Sequence, residues 1–242
     1  MSRGLLGVTV KAGIIAAGEG SRLRAAGITV PKPLVEVAGI SLLERTLRAL
    51  VDNGAEEIAL ITNTAEVADR ARAMDLPVAV RTVIKVTESS MHSLYELGAF
   101  LAGERFVLCT IDSIILPDEF AGFVERFQER SELDLLLSYT DFVDDEKPLR
   151  IAVDDRGGVT ALGEAADRSP SVTAGLYGVG PAAFSLLGPA LERGLKRLRN
   201  FLGFVLQTGL SVAGYRLSKA VDVDRVCDVE AAEAFLLEHG VR

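Results

Sequence analysis

The sequence predicts an α/β protein: a mixed, mostly parallel sheet flanked by helices, with a smaller antiparallel part later in the chain. Three observations carry this. Up to Tyr139, short apolar runs alternate with segments whose leucines recur at helical spacing. The first apolar run empties into a glycine turn, Gly18-Glu19-Gly20. After Tyr139 the rhythm changes to a hairpin signal, Asp155-Arg156-Gly157-Gly158 between two apolar runs.

Each element follows in order. Residues 8–16 are mostly apolar and read as the first buried strand. Ser41 caps a helix through Asn53. Glu44 stands three residues on, as in a capping box; Leu42, Leu43, Leu47 and Leu50 share a face, and Gly54 ends the helix. Residues 57–61 form the next strand, 64–74 a helix, 78–83 a strand, 91–101 a helix and 105–110 a buried strand. Pro117 opens a helix through Glu129, where its missing N–H costs nothing, and 133–139 is a strand. The hairpin pairs 150–153 with 159–162. Residues 172–179 form a strand, 181–191 and 195–208 helices, 211–217 a strand, and 226–239 the closing helix.

With 242 residues, 49% hydrophobic and 25% charged, the chain can bury a core without disulfides or metals. Its 26 basic and 34 acidic residues give a net charge of -8, which argues against a nucleic-acid partner. One small anion held by a local basic cluster stays compatible. The longest charge-free stretch, residues 169–191, contains Pro170, Pro181 and Pro189 and does not suit a membrane helix. No apolar leader with a cleavage site follows Arg3, so no signal peptide is expected. Cys109 and Cys227 lie in no CxxC or Cys/His cluster and read as two buried thiols of a reduced, cytoplasmic protein.

The most informative stretch is Ala16-Ala17-Gly18-Glu19-Gly20-Ser21-Arg22-Leu23, followed by Pro31-Lys32-Pro33-Leu34. Glycines after a strand let backbone N–H groups approach a phosphate. Arg22 offers a planar fork of donors. Lys32, between two prolines, is a point charge with few backbone alternatives. Together they can stabilise charge building on a transferring phosphoryl group. Leu23 stands where a dinucleotide fingerprint needs a third glycine, and no Gly-Lys-Ser/Thr completes a Walker loop.

This stretch, continued by Val35-Glu36-Val37-Ala38-Gly39 and a helix, resembles the start of the sugar-1-phosphate nucleotidylyltransferases. It is similar also to related cytidylyltransferases acting on phosphocholine or inositol 1-phosphate. The resemblance implies a Rossmann-like nucleotidyltransferase fold and a Mg²⁺-dependent reaction. A phosphate oxygen of the acceptor attacks the α-phosphorus of a nucleoside triphosphate, and pyrophosphate leaves. By position, Ala16, Ala17, Gly18, Glu19, Gly20 and Ser21 would wrap the triphosphate. Arg22 would neutralise the leaving pyrophosphate and Lys32 would contact the α-phosphate. Asp112, after the apolar run 106–109, matches a Mg²⁺ ligand, with Ile111 where the family usually has glycine. Asp222 first, then Asp224, resemble the second metal position. Either suits a cap for the helix that follows.

Ser89, Ser90 and Ser93 occupy the family's base or ribose contact, in a pattern closer to the cytidylyltransferases; Ser89 or Ser90 equally suits a helix cap. Glu164 and Gly175 resemble the acceptor pocket, Glu164 accepting from a hydroxyl and Gly175 letting the acceptor approach the backbone. Ala165 stands where many sugar enzymes carry a lysine for the acceptor's phosphate; Lys147, Arg150 and Arg168 are candidates for the missing charge. The acidic run 141–146 reads as a solvated turn. The implied layout is one domain, with residues 1–140 holding the nucleotide and 141–242 the acceptor and second metal position. The implied partners are a nucleoside triphosphate, CTP or UTP favoured, and a small phosphorylated sugar or polyol, with no membrane. A phosphocholine-type acceptor, a molybdopterin-type acceptor and a non-catalytic nucleotide or sugar-phosphate sensor are the alternatives. The sequence carries no signal for an oligomeric state.

Overall fold

The computed structural model describes residues 10–143 and 147–241. Val8 and Thr9 of the first predicted strand, the residues before them, and positions 144–146 of the acidic run lie outside the described residues. A seven-stranded sheet forms the centre. In chain order its strands are β1 (Val10–Ala16), β2 (Ala55–Thr62), β3 (Ala79–Ile84), β4 (Phe106–Thr110), β5 (Leu135–Thr140), β6 (Val172–Val179) and β7 (Val212–Arg216). They lie side by side in the order 3-2-1-4-6-5-7. Neighbours run parallel except at β6, which is antiparallel to both β4 and β5. The expected mostly parallel sheet is present, and strands from both halves of the chain build it.

The helices are α1 (Ser21–Ala25), α2 (Leu42–Asp52), α3 (Ala65–Ala73), α4 (Ser90–Glu96), α5 (Gly98–Leu101), α6 (Pro117–Glu129), α7 (Pro181–Ser185), α8 (Leu187–Glu192), α9 (Leu198–Gln207) and α10 (Val226–Glu238). They cover both faces, so the central strands are apolar on both sides. Ala12, Ile14 and Ala16 of β1 join one core with α2, α3, α6 and α10. Ile15 points the other way and joins a second core with α4, α5, α7, α8 and α9. Ser41 caps α2 by accepting from the Glu44 amide at 3.2 Å, and Gly54, at φ 82°, follows its end.

Two predicted helices are each broken in two. Residues 91–101 divide into α4 and α5 at Leu97, where Gly98 would place a side chain 3.3 Å from the Phe184 ring. Residues 181–191 divide at Leu186, because Pro189 has no N–H for the Ser185 carbonyl. α9 starts at Leu198 rather than at 195, since Arg197 is still extended (φ −111°, ψ 147°). The hairpin Ile151–Val153 with Val159–Leu162 is antiparallel, as expected. Two further two-residue ribbons were not foreseen: Glu36–Val37 with Ile40–Ser41, and Ser113–Ile114 with Val221–Asp222. Of the two thiols expected inside, Cys109 is buried, but Cys227 is exposed in the first turn of α10. Among the described residues no helix is long and apolar enough to cross a membrane.

Gly178 of β6 faces α6, and a Cβ there would overlap the Phe127 ring. Gly178→Ala is expected to destabilise the fold by ~1–3 kcal/mol, read as a lower urea midpoint. An unchanged midpoint would show that this contact does not constrain the sheet.

Candidate active site

The turn after β1 is shaped around a lysine. Gly20 adopts a left-handed φ of 59°, and a Cβ there would press on Lys32 Cβ at 3.0 Å. Gly18 has nothing within 4 Å of that position, so the outer surface of the loop is open. Arg24 Nε donates to the Glu19 carbonyl at 3.0 Å and Asn63 Nδ2 to the Gly18 carbonyl at 3.4 Å. The loop is therefore held by its carbonyls.

Lys32 opens a single 3-10 turn, Lys32–Leu34, with Pro31 extended ahead of it. Its side chain is 8% exposed, and Nζ donates to Asp112 Oδ2 at 2.7 Å and to Asp224 Oδ1 at 2.5 Å. Burial alone would lower the pKa of this ammonium. The Asp112 and Asp224 carboxylates outweigh it and hold the group above its ordinary value. Burial likewise opposes the charge on Asp112, yet Lys32 and a hydrogen bond from Thr110 keep its carboxyl below the usual range. Arg22 Nη1 reaches the other oxygen of Asp224, Oδ2, at 2.9 Å. Asp224 thus joins the two cations that the sequence assigns to phosphates.

Asp112 and Asp222 come together through the short ribbon beyond β4. Ser113 pairs with Asp222 across it, and the Val223 amide donates to the Asp112 carbonyl at 2.9 Å. Ser113 Oγ donates to Asp222 Oδ1 at 2.6 Å. Asp222 sits low between these strands while its side chain stays open to the cleft. Its desolvated position, and then the Asp112 charge, push its carboxyl up to about 7. Two mutually repelling carboxylates fit a hard divalent cation that takes its remaining oxygens from phosphates. Among the described residues no three His, Cys, Asp or Glu side chains gather as a ready cation cage. Asp224 is occupied by Lys32 and Arg22. α10 is instead capped by Asp228, whose Oδ2 accepts from the amides of Asp224 at 2.9 Å and Arg225 at 2.6 Å. Neither Asp222 nor Asp224 spends its side chain as the helix cap.

The cleft has two adjoining lobes. The first, about 570 Å³, is lined by residues 16–22, Lys32, Ser89, Ser90, Ser93 and Asp112. Every residue predicted to contact nucleotide therefore meets here. Their hydroxyls already have partners: Ser89 Oγ with His92 Nδ1 at 3.0 Å, and Ser93 Oγ with Thr87 Oγ1 at 2.7 Å. Ser90 Oγ accepts from the Leu198 amide at 3.2 Å. Ser89 stands at the start of α4, but its hydroxyl turns to His92 instead of capping an amide.

The second lobe, about 540 Å³, is lined by Asp112, Asp222 and Asp224, by Thr173, Gly175 and Tyr177 of β6, and by Arg197 and Arg199. Gly175 has φ 73°, and a Cβ there would overlap Ser113 Oγ and Thr110 Oγ1. Internal packing, then, is what demands glycine at this position. Glu164 lies in the exposed 3-10 turn Gly163–Ala166 and lines neither lobe. The expected substitutes for a lysine at 165 also lie elsewhere. Arg150 Nη1 donates to the Ser169 carbonyl at 2.6 Å, and Arg168 shares a separate groove with Ala165. Lys147 lines neither lobe, and its carbonyl accepts from Arg199 Nη2 at 3.1 Å. Besides Arg22, the cations that line the lobe are Arg197, Arg199 and Arg225, and these three were missed. Their sequence signal was Lys196-Arg197-Leu198-Arg199, a basic cluster at a helix start, where the dipole disfavours positive charge.

A profile of the MobA-like NTP transferase domain matches residues 12–145. The chain is 34% identical over 190 residues to a Rubrobacter xylanophilus protein named bifunctional IPC transferase and DIPP synthase, covering 76% of this chain and 40% of that protein. It is 26% identical over 234 residues to the bifunctional protein GlmU of Pelotomaculum thermopropionicum, covering 89% of this chain and 49% of that protein. The chain spans less than half the length of both relatives. The structure of the inositol-1-phosphate CTP transferase from T. maritima superposes with a TM-score of 0.78, covering 98% of this chain and 99% of that one at 20% identity, which is a likeness of fold. Because the profile spans more than half of its residues, the chain belongs to the MobA-like NTP transferase domain family, among proteins related to the sugar-1-phosphate nucleotidylyltransferases.

Proposed function

We propose that the protein transfers a cytidylyl group from CTP to the phosphate of a cyclic polyol such as inositol 1-phosphate, releasing pyrophosphate. The observation that carries this reading is the placement of Lys32. An ammonium has three donors. Two of those on Lys32 are spent on Asp112 and Asp224, which leaves one for a phosphate oxygen in the first lobe. A charge held this rigidly stabilises the transition state without reorganising as the reaction proceeds.

The triphosphate lies along residues 16–21, with the leaving pyrophosphate toward Arg22. The acceptor lies in the second lobe and presents a phosphate oxygen to the α-phosphorus. Residues up to 140 form most of the nucleotide side, and residues 141–242 most of the acceptor side. Asp112 and Asp222 would hold Mg²⁺, which neutralises phosphate oxygens when bound. The name of the Rubrobacter relative and the fold shared with a CTP transferase acting on inositol 1-phosphate favour this pair of substrates. Phosphocholine fits less well. A quaternary ammonium is recognised by an aromatic cage, whereas this chain has no tryptophan and its second lobe offers two aromatic side chains, Phe142 and Tyr177.

Lys32→Ala should lower kcat for pyrophosphate release by about 100-fold or more, as loss of ~3 kcal/mol of transition-state stabilisation would. An unchanged kcat would remove Lys32 from the chemistry. A second expectation concerns Asp222, which keeps its proton up to about 7 in the cation-free protein. Proton and cation then compete for one carboxylate. Mg²⁺ binding measured by calorimetry should tighten by roughly tenfold per pH unit below that value and level off above it. Asp222→Asn should flatten the profile. A wild-type affinity that does not vary with pH would take Asp222 out of the cation site.

A further inference from the structure

We infer that Arg197 and Arg199 receive the acceptor's phosphate, supplying from the start of α9 the charge that Ala165 lacks. This rests on the transfer reaction proposed above and specifies how its acceptor is recognised: as a phosphomonoester carried on a compact polyol.

Both arginines line the second lobe. That lobe also contains Asp112, Asp222 and Asp224, so an anion entering it needs cations within the lobe itself. The Arg197 guanidinium makes no hydrogen bond or ion pair among the described residues. Arg199 spends one donor, Nη2, on the Lys147 carbonyl at 3.1 Å. A guanidinium has five donors in a planar fork that matches phosphate oxygens. Of the lobe's other cations, Arg22 is paired with Asp224 and Arg225 stands beside Asp224 in the chain, while Arg150 is bonded to the Ser169 carbonyl and Arg168 lies in a separate groove.

The wall that carries the arginines is fixed. Leu198 between them is buried, and its amide donates to Ser90 Oγ at 3.2 Å. Since that amide is taken, the guanidinium groups and not the helix's first N–H are what the anion meets. Without an anion, two positive charges at the start of a helix oppose its dipole. A bound phosphate reverses the sign of that interaction.

The test combines kinetics with binding. With CTP saturating, Arg197→Ala and Arg199→Ala should each raise the KM for inositol 1-phosphate about 10- to 100-fold, with the KM for CTP almost unmoved. Arg197→Lys should recover part of the loss. Arg168→Ala, in the separate groove, should behave as wild type. In calorimetry, wild type should bind inositol 1-phosphate and inorganic phosphate but not inositol, and Arg197→Ala should lose both anions. Turnover with an unchanged acceptor KM in both alanine variants overturns the assignment, as does a rise confined to Arg168→Ala. Phosphate binding that depends on Arg197, without turnover, supports the arginines and overturns the reaction instead. Absence of both turnover and phosphate binding overturns both.

Discussion

The bridge from Lys32 to Asp112 and Asp224 sets the geometry of the site. It reaches 80 residues along the chain to Asp112 and 192 to Asp224. It fastens the proline-flanked turn to the end of β4 and to the loop before α10. A buried ammonium is tolerable only when it is paired and hydrogen-bonded, so none of the three segments can shift without exposing an uncompensated charge. Other features follow from it. Residue 20 is glycine because the lysine's own Cβ lies against it. Asp224 is drawn toward Lys32 and so meets Arg22 as well.

An acidic protein with a proposed polyphosphate ligand looks contradictory until distances are considered. Net charge acts on approaching molecules from afar and is screened beyond ~8–10 Å at physiological salt. Binding is decided at contact. Here the cleft brings Arg22, Lys32, Arg197, Arg199 and Arg225 together beside Asp112, Asp222 and Asp224, within a chain whose total is -8. Such a distribution disfavours extended polyanions, which must lie across the acidic surface. A small phosphorylated molecule enters the cleft and meets the basic residues.

Much of this was legible in the sequence because its signals were local. The capped α2, the proline that opens α6 and the alternation of strands need only neighbouring residues. The break at Leu97 goes with a contact that local spacing does not encode, Phe184 against Gly98, whereas the break at Leu186 follows from Pro189, a signal the sequence does carry. The nucleotide side was readable because its residues sit in two contiguous motifs. The acceptor side was not: Glu164 kept its place in sequence but lies on an exposed turn, and the basic residues come from the start of α9. A positive charge that moves from one element to another leaves no motif behind. Only its cost at a helix start gave it away. Similarly, Cys227 has the apolar neighbour Val226, but α10 turns that flank outward.

The two lobes are mechanically connected, which matters for a reaction whose rate depends on bringing two bound reactants into line. The Ser90–Leu198 hydrogen bond ties the start of α4, in the first lobe, to the start of α9, in the second. On the other side, Gly175 allows Ser113 to lie tight against β6, and Ser113 in turn donates to Asp222. β6 bulges here: its register against β5 shifts between Thr173 and Tyr177. A side chain at 175 would therefore act first on Ser113 and Thr110, and through Ser113 on the Asp222 carboxylate. Gly175, which also lines the second lobe, is thus the point where the sheet meets the Ser113 that donates to Asp222. The bulge lets an otherwise regular strand line the second lobe with Thr173 and Gly175 while Gly175 packs against Ser113 and Thr110.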